Sequence, residues 1–126
     1  MAVVVDASAL GAIMFGEPEG PTLAAHLKGE TLLAPSLLDF EIINLAVKKC
    51  RRRPDLIEPI AVALAAALAV PIERAAIDGR GVFALAAVTG LTAYDASYLW
   101  LARSRDAELV TLDRELMRLS DAALRV

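Results

Sequence analysis

Short apolar runs alternate along the chain with longer segments in which apolar residues recur at helical spacing. The apolar runs predict buried strands at residues 3–5, 31–34, 72–77 and 108–112, and an edge strand at residues 122–126. The longer segments predict helices at residues 9–15, 21–28, 37–52, 56–70, 80–89, 92–105 and 114–119. Strands and helices that alternate in this way favour an α/β fold, in which a mostly parallel sheet has helices on both faces.

The length and composition predict one domain with an unusually apolar sequence. The chain has 126 residues, enough for a domain with its own core, and 57% of them are hydrophobic. A sheet covered on both faces, a partner surface, or both would use this apolar excess. The longest apolar run, Ile60–Val70, is shorter than the roughly 20 residues of a membrane-spanning helix. The start of the chain lacks the basic region of a signal peptide, and Asp6 interrupts its apolar stretch. We therefore expect a cytoplasmic protein without a membrane segment.

The chain contains one cysteine and one histidine, which excludes several kinds of site. Cys50 has no partner for an internal disulfide, and a structural zinc site needs several cysteines or histidines. A hydrolase triad needs a histidine oriented by an acid, whereas His26 is expected at the surface of a short helix. We expect neither residue to be catalytic, and we expect Cys50 to be an ordinary helix side chain.

Four acidic residues occupy positions that an α/β fold brings towards one pocket. Asp6 and Asp113 each follow an apolar run, and Glu41 and Asp95 lie near the starts of predicted helices. In parallel sheets ligands bind beyond the carboxyl ends of the strands, which is where Asp6 and Asp113 are expected. Clustered carboxylates repel one another unless a cation holds them, and Mg²⁺ or Mn²⁺ takes oxygen ligands. The pattern therefore predicts a carboxylate metal site of the kind that acts on phosphate esters.

Each of these acids also has a local interpretation that requires no metal. Asp6 and Asp113 precede predicted helices and are suited to cap them. Thr92 and Asp95 have the spacing of a capping box. Taken singly, the residues leave this interpretation open, but capping alone does not explain why the acids fall at one edge of the predicted sheet.

Glu41 belongs to a polar stripe along an otherwise apolar helix. The members of the stripe, at helical spacing, are Glu41, Asn44, Lys48, Arg51 and Arg52. The stripe is either an ordinary solvated face or a track from an acidic metal pocket to a basic end. In the second interpretation a polyanion has its reactive phosphate at the metal, and its flanking phosphates contact Lys48, Arg51 and Arg52. Spacing alone leaves both interpretations open.

Three segments of the chain resemble the PIN-domain nucleases, and within them the VapC-type toxins of bacterial toxin–antitoxin modules. The segments are VVVDASAL, LLAPSLLDFEIINLAVKK and LTAYDASYLWLARSRDAELVTLDREL. The last is the most specific, and the resemblance covers nearly the full length, although residues 54–81 carry little family signal. It implies a three-layer α/β/α fold, a single PIN-like nuclease domain over residues 1–126, and metal-dependent endonucleolytic cleavage of RNA.

The resemblance also implies roles for particular residues and partners. The acidic quartet of the family, which binds Mg²⁺ or Mn²⁺ and carries catalysis, is matched by Asp6, Glu41, Asp95 and Asp113. Polar positions that support these ligands without binding the metal are matched by Ser8, Asn44 and Thr111. Family members are usually homodimers held inactive by a partner antitoxin. The expected partners are therefore an RNA substrate, a cognate antitoxin and a second copy of the chain.

Other classes of protein fit parts of the pattern. A phosphoacceptor signalling domain, or a phosphatase with an aspartate nucleophile, is also an α/β domain with acids at strand ends. Both favour a lysine late in the chain, and none follows Lys49. The phosphatase would also favour Asp-x-Asp at the first strand, where this chain has Asp6-Ala7-Ser8. A non-catalytic interaction domain whose acids are all helix caps is the remaining alternative, and it predicts no stabilisation by Mg²⁺ or Mn²⁺.

Overall fold

Strands and helices alternate through the described part of the chain, which is residues 2–124 of a computed structural model. The strands are β1 (Ala2–Val5), β2 (Thr31–Pro35), β3 (Glu73–Ala75) and β4 (Glu108–Val110). The helices are α1 (Ala7–Met14), α2 (Gly20–Leu27), α3 (Leu38–Arg52), α4 (Ile57–Ala69), α5 (Gly79–Thr89), α6 (Ala93–Ser104) and α7 (Arg114–Leu124), with a short 3₁₀ turn (Pro54–Leu56) before α4. The predicted α/β class is confirmed.

The four described strands form one parallel sheet in the order β3-β2-β1-β4. Val4 of β1 pairs with Leu33 of β2 on one side and with Leu109 of β4 on the other. The chain proceeds outward from β1 through β2 to β3, and then returns to place β4 on the opposite side of β1. The direction of winding therefore reverses between β1 and β4. Ligands of parallel sheets bind beyond the carboxyl ends of the strands at such a reversal.

The core lies against the two inner strands. Val3, Val4 and Val5 of β1 are at most 2% exposed, as expected for a parallel strand covered on both faces. Helix α6 packs against β1, β2 and β4, and both α5 and α7 pack against α6. Helices α1 to α4 pack among themselves as a second group. The sheet is flanked by helices in the three-layer arrangement that the resemblance implies.

Two glycines end helices where the sequence predicts it. Gly29 follows α2 with φ 81°, and Gly90 follows α5 with φ 77°. The N–H of Gly90 donates to the carbonyl oxygen of Ala86, which satisfies one of the last helical acceptors. A residue with a Cβ is disfavoured in this left-handed region, so glycine suits both positions.

The predicted edge strand at residues 122–126 is wrong where the structure describes it. Residues 122–124 continue α7, and residues 125–126 lie outside the described part. The segment contains no glycine or proline from Arg114 to Leu124, so nothing in it stops a helix once it has formed. Leu116 is fully buried, and packing of that face against the core stabilises the helix further.

Part of the apolar excess lies at the surface rather than in the core. Ile57 and Val62 of α4 are 54% and 71% exposed, and Phe83 and Val88 of α5 are 74% and 82% exposed. In residues 2–124 no single helix has the length and apolar content to span a membrane. Helices α5 and α6 have that length and apolar content only when they are taken together, and the two helices are bent by 111° relative to each other.

Candidate active site

The four predicted acids line one cavity of about 210 Å³. Asp6 follows β1, Asp113 follows β4, Glu41 projects from α3 and Asp95 projects from α6. The cavity is also lined by the polar side chains of Ser8, Asn44, Lys48 and Tyr98. Elsewhere among the described residues, cavities of about 550, 420 and 350 Å³ are lined mainly by apolar side chains, and no carboxylate lines them. The acids are thus concentrated at the edge where the strand order reverses.

Asp6 is the most buried of the four acids, and three donors hold its carboxylate. Its Oδ1 accepts hydrogen bonds from Ser8 Oγ at 2.7 Å and from Ala9 N at 3.0 Å. Its Oδ2 accepts one from Thr111 Oγ1 at 2.5 Å. Burial raises the pKa of Asp6, the bonds from Thr111 and Ser8 oppose that rise, and the charge on Asp113 adds to it. The bond from Ala9 is the predicted helix cap, so capping and a place in the cavity coexist.

Ser8 and Thr111 connect the segments that follow β1 and β4. Ser8 Oγ accepts a hydrogen bond from Leu112 N at 2.9 Å, and Thr111 Oγ1 accepts one from Asp113 N at 2.9 Å. The two hydroxyl oxygens are 3.4 Å apart. Because these hydroxyls take the backbone N–H groups, β4 ends at Val110, two residues earlier than predicted. Ser8 and Thr111 lie where residues that support the acids are expected.

Glu41 lies in the first turn of α3 and is half-buried. Tyr98 Oη donates to its Oε1 at 2.6 Å. Burial raises the pKa of Glu41, the Tyr98 bond opposes that rise, and the charges on Asp95 and Asp6 add to it. Burial and the nearby carboxylates also raise the pKa of Tyr98, so its hydroxyl remains a neutral donor.

Asp95 and Asp113 are the more exposed acids, and both lie at helix starts. Thr92 Oγ1 accepts a hydrogen bond from Asp95 N at 3.1 Å and caps α6. Asp113 Oδ1 accepts one from Leu116 N at 2.9 Å at the start of α7. Burial raises the pKa of Asp95, the charges on Asp113 and Asp6 add to the rise, and Thr92 opposes it. The caps predicted at Thr92 and Asp113 are formed, and the carboxylates of Asp95 and Asp113 both line the cavity.

The donor set of the cavity fits a divalent cation. The pKa values of Asp6, Glu41 and Asp95 are raised by burial first and then by repulsion from other acids of the quartet. Within residues 2–124 no group of three or more His, Cys, Asp or Glu side chains is arranged to hold a metal ion by itself. Mg²⁺ does not require such a cage, because it keeps several waters and binds one or two carboxylates together with phosphate oxygens. Carboxylates around an open cavity therefore suit Mg²⁺ or Mn²⁺ shared with water and substrate.

The polar stripe of α3 divides after Lys48. Asn44 and Lys48 line the acidic cavity together with Glu41. Arg51 lines the cavity of about 350 Å³, and Arg52 lines the one of about 550 Å³. The structure therefore brings one of the three predicted RNA-binding cations to the acids and leaves the other two beside apolar surfaces.

The single histidine and cysteine lie away from the acidic cavity. His26 is exposed on α2, and its Nε2 is 2.7 Å from Glu108 Oε1. Cys50 is a free, partly buried residue of α3 that lines the cavity of about 350 Å³. His26 thus lies at the surface of a short helix, and Cys50 is a side chain of a helix, as the sequence predicts.

Tyr98 is the cavity residue that sequence reasoning missed. It lies three residues after Asp95 in α6, and residues three apart in a helix project from the same face. That spacing is the signal that identifies it, because Asp95 was already a candidate. Among the apolar residues of α6, however, a tyrosine is equally typical of the core, and only the fold brings Glu41 to its hydroxyl.

Comparison with known proteins identifies the class to which this fold and site belong. The sequence profile of the PIN domain family matches residues 3–122, so the chain belongs to the PIN domain family. Ribonuclease VapC12 of Mycobacterium tuberculosis is 29% identical over 114 residues, which cover 90% of this chain and 88% of that protein.

Two solved structures share the fold of this chain. PAE2754 from Pyrobaculum aerophilum matches with a TM-score of 0.75 and 30% identity, over 94% of this chain and 86% of that one. VapC20 of Mycobacterium tuberculosis, described as a sarcin–ricin loop cleaving toxin, matches with a TM-score of 0.69 over 93% of this chain and 94% of that one. At 15% identity the VapC20 match concerns the fold alone.

Proposed function

We propose that this chain is a Mg²⁺- or Mn²⁺-dependent endoribonuclease and the toxin of a toxin–antitoxin pair. The observation that carries the proposal is the single cavity to which four separate elements contribute Asp6, Glu41, Asp95 and Asp113. Membership of the PIN domain family and similarity to a protein named ribonuclease VapC12 support RNA as the substrate. The raised pKa values of three of the acids support a cation as the partner of the cavity.

The four carboxylates would hold the cation between them, one or two of them directly and the others through its bound waters, and it would be shared with the scissile phosphate. The chemistry that Mg²⁺ or Mn²⁺ supplies when bound is neutralisation of phosphate charge and activation of a water molecule for attack. Asp6 has the least freedom to move, because Ser8, Ala9 and Thr111 hold its two oxygens. Asp95 and Asp113 are more exposed, which suits carboxylates that orient water and substrate at the mouth of the cavity.

Lys48 is the cation best placed to bind a phosphate that flanks the scissile bond. It lines the acidic cavity two turns along α3 from Glu41, and Asn44 lies between them. In this proposal Asn44 supports the acids, and Lys48 binds the RNA backbone without reading its sequence. Arg51 and Arg52 extend the track only if the RNA crosses the outer surface of α3.

The proposal extends to the organisation and partners of the protein. Residues 1–126 act as one nuclease domain, a cognate antitoxin restrains it, and cellular RNA as substrate places its action in the cytoplasm. In a homodimer a second copy of the chain would cover exposed apolar residues such as Ile57 and Val62 on α4 or Phe83 and Val88 on α5. Light scattering of the purified protein tests the homodimer directly.

A non-catalytic interaction domain is the alternative that one observation favours. Asp6 and Asp113 both cap helices, so their presence does not by itself require catalysis. A domain whose acids serve only as caps predicts that Mn²⁺ leaves the melting temperature unchanged. The late lysine expected of a phosphoacceptor domain is absent from the sequence, and that alternative is weaker.

The test is cleavage of a pool of structured RNAs by the purified protein. The reactions contain Mg²⁺, Mn²⁺ or chelator, and a parallel set uses Asp95→Asn. Cleavage that needs metal and disappears in the variant supports the nuclease and its site. Cleavage that persists in the variant contradicts the assignment of the site. If the protein cleaves no RNA and its melting temperature does not change when metal is added, the interaction domain is favoured.

A further inference from the structure

Tyr98 joins α6 to α3 through its hydroxyl. The side chain is 1% exposed and belongs to the hydrophobic core. Its Oη donates to Glu41 Oε1 at 2.6 Å, across 57 positions of sequence. Tyr98 thus places a rigid aromatic ring in the core and its one polar atom at the acidic cavity, which it also lines.

This hydrogen bond restricts a side chain that otherwise has considerable freedom. A glutamate has three side-chain torsions, and ordering it costs side-chain conformational entropy. Glu41 is only half-buried, so the packing around it does not fix its carboxylate. Tyr98 occupies Oε1 and leaves Oε2 of the same carboxylate for another partner. By contrast, Asp6 is held by two hydroxyls and a backbone N–H.

We propose that Tyr98 is a positioning residue, which holds Glu41 in the orientation in which it binds the divalent cation. The inference rests on the proposed metal-dependent function and assigns a task within it. Groups that hydrogen-bond to metal ligands fix their orientation, and their loss typically lowers metal affinity about 10- to 100-fold. A tyrosine that merely satisfied its own buried hydroxyl would leave metal affinity unchanged.

The test measures Mn²⁺ affinity rather than cleavage. Thermal unfolding of the full chain is followed as Mn²⁺ is titrated, since a ligand that binds the folded state stabilises it by an amount that grows with the logarithm of its concentration relative to its dissociation constant. Tyr98→Phe removes the hydroxyl and keeps the ring. Tyr94→Phe is the matched control, because Tyr94 lies in the same helix and is 65% exposed.

We expect the apparent dissociation constant for Mn²⁺ to rise about 10- to 100-fold in Tyr98→Phe and to stay unchanged in Tyr94→Phe. Melting in chelator shows whether each variant is folded. If Tyr98→Phe does not unfold cooperatively, Tyr98→Met repeats the test, because an unbranched apolar side chain adapts to the same space. An unchanged Mn²⁺ affinity in a folded variant overturns the inference.

A double-mutant cycle identifies the residue through which Tyr98 acts. In a Glu41→Gln background the Tyr98→Phe change should add no further loss of Mn²⁺ affinity, because the carboxylate it positions is gone. A further loss of the same size in that background overturns the inference while leaving the metal site intact. A wild-type protein that shows no response to Mn²⁺ contradicts the metal-dependent function itself, so the two failures are distinguishable.

Discussion

Replacing Thr111 by valine should weaken the fold through the buried carboxylate of Asp6. Valine has nearly the shape of threonine, so the change removes a hydroxyl without opening a cavity. That hydroxyl donates to Asp6 Oδ2 and accepts from Asp113 N. A hydrogen bond to a charged group contributes about 1.5 to 3 kcal/mol and a neutral one about 1 kcal/mol, so the total loss is about 3 kcal/mol.

The measurement is thermal and urea unfolding in chelator, beside the control Thr31→Val. Thr31 is an exposed residue at the start of β2, where valine and threonine suit a strand equally. For a domain of this size, about 3 kcal/mol corresponds to a fall in melting temperature of roughly 10 °C. The control should change the melting temperature by no more than about 2 °C, since surface substitutions typically alter stability by less than about 0.5 kcal/mol.

The loss of stability caused by Thr111→Val should also depend on pH, and the structure determines whether the loss is larger at high or at low pH. The Thr111 hydroxyl lowers the pKa of Asp6 because it stabilises the charged carboxylate. Its loss therefore costs most when Asp6 is ionised, and it costs less once Asp6 is protonated. Comparison of about pH 7.5 with about pH 5 should show the smaller penalty at the lower pH. A loss below about 1 kcal/mol at pH 7.5, or a larger loss at pH 5, would refute this reasoning.

Three further predictions concern the acidic cavity and its surroundings. Asp95→Asn should lower metal-dependent RNA cleavage by more than about 100-fold, which exceeds the usual cost of losing a group that only supports a ligand. The control variant Asp106→Asn, at an exposed position with φ 49°, should cleave RNA normally. Equal activity of the two variants would exclude Asp95 from the site. The pKa values of Asp6, Glu41 and Asp95 are raised in the folded state, so the folded protein binds protons more tightly than the unfolded chain. The metal-free protein should therefore lose stability as pH rises from about 4 towards neutrality. Saturating Mn²⁺ should remove most of that loss, and melting temperatures that rise with pH in chelator would contradict the prediction. Lys48→Ala should weaken RNA binding and reduce the slope of log affinity against log salt concentration by about one unit, while Lys28→Ala should change neither. Identical slopes for the two variants in a filter-binding series would show that Lys48 does not contact the RNA.

Much of the fold follows from local pattern, whereas the end of β4 depends on contacts between distant segments. Helix ends at Gly29 and Gly90 were predictable because glycine accepts the left-handed conformation without strain. The end of β4 was not predictable from local pattern. Strand β4 stops at Val110 because the hydroxyls of Ser8 and Thr111, distant in sequence from one another, take the next backbone donors.

The site divides in a similar way. The acids were predictable because strand ends and helix starts meet at one edge of a parallel sheet, and because like charges in one place require a cation. The polar stripe of α3 was predicted as one continuous track, but Lys48 lines the acidic cavity, whereas Arg51 and Arg52 line two other cavities further along the helix.

The sequence by itself determined the class of fold, the four acids and the family resemblance, since each depends on short-range periodicity or on the order of chemically distinctive residues. Only the tertiary structure decided which neighbours those acids have. The bonds from Thr111 to Asp6 and from Tyr98 to Glu41 span 105 and 57 positions. No local pattern encodes such contacts, because they depend on how α3, α6 and the ends of β1 and β4 pack around one sheet edge.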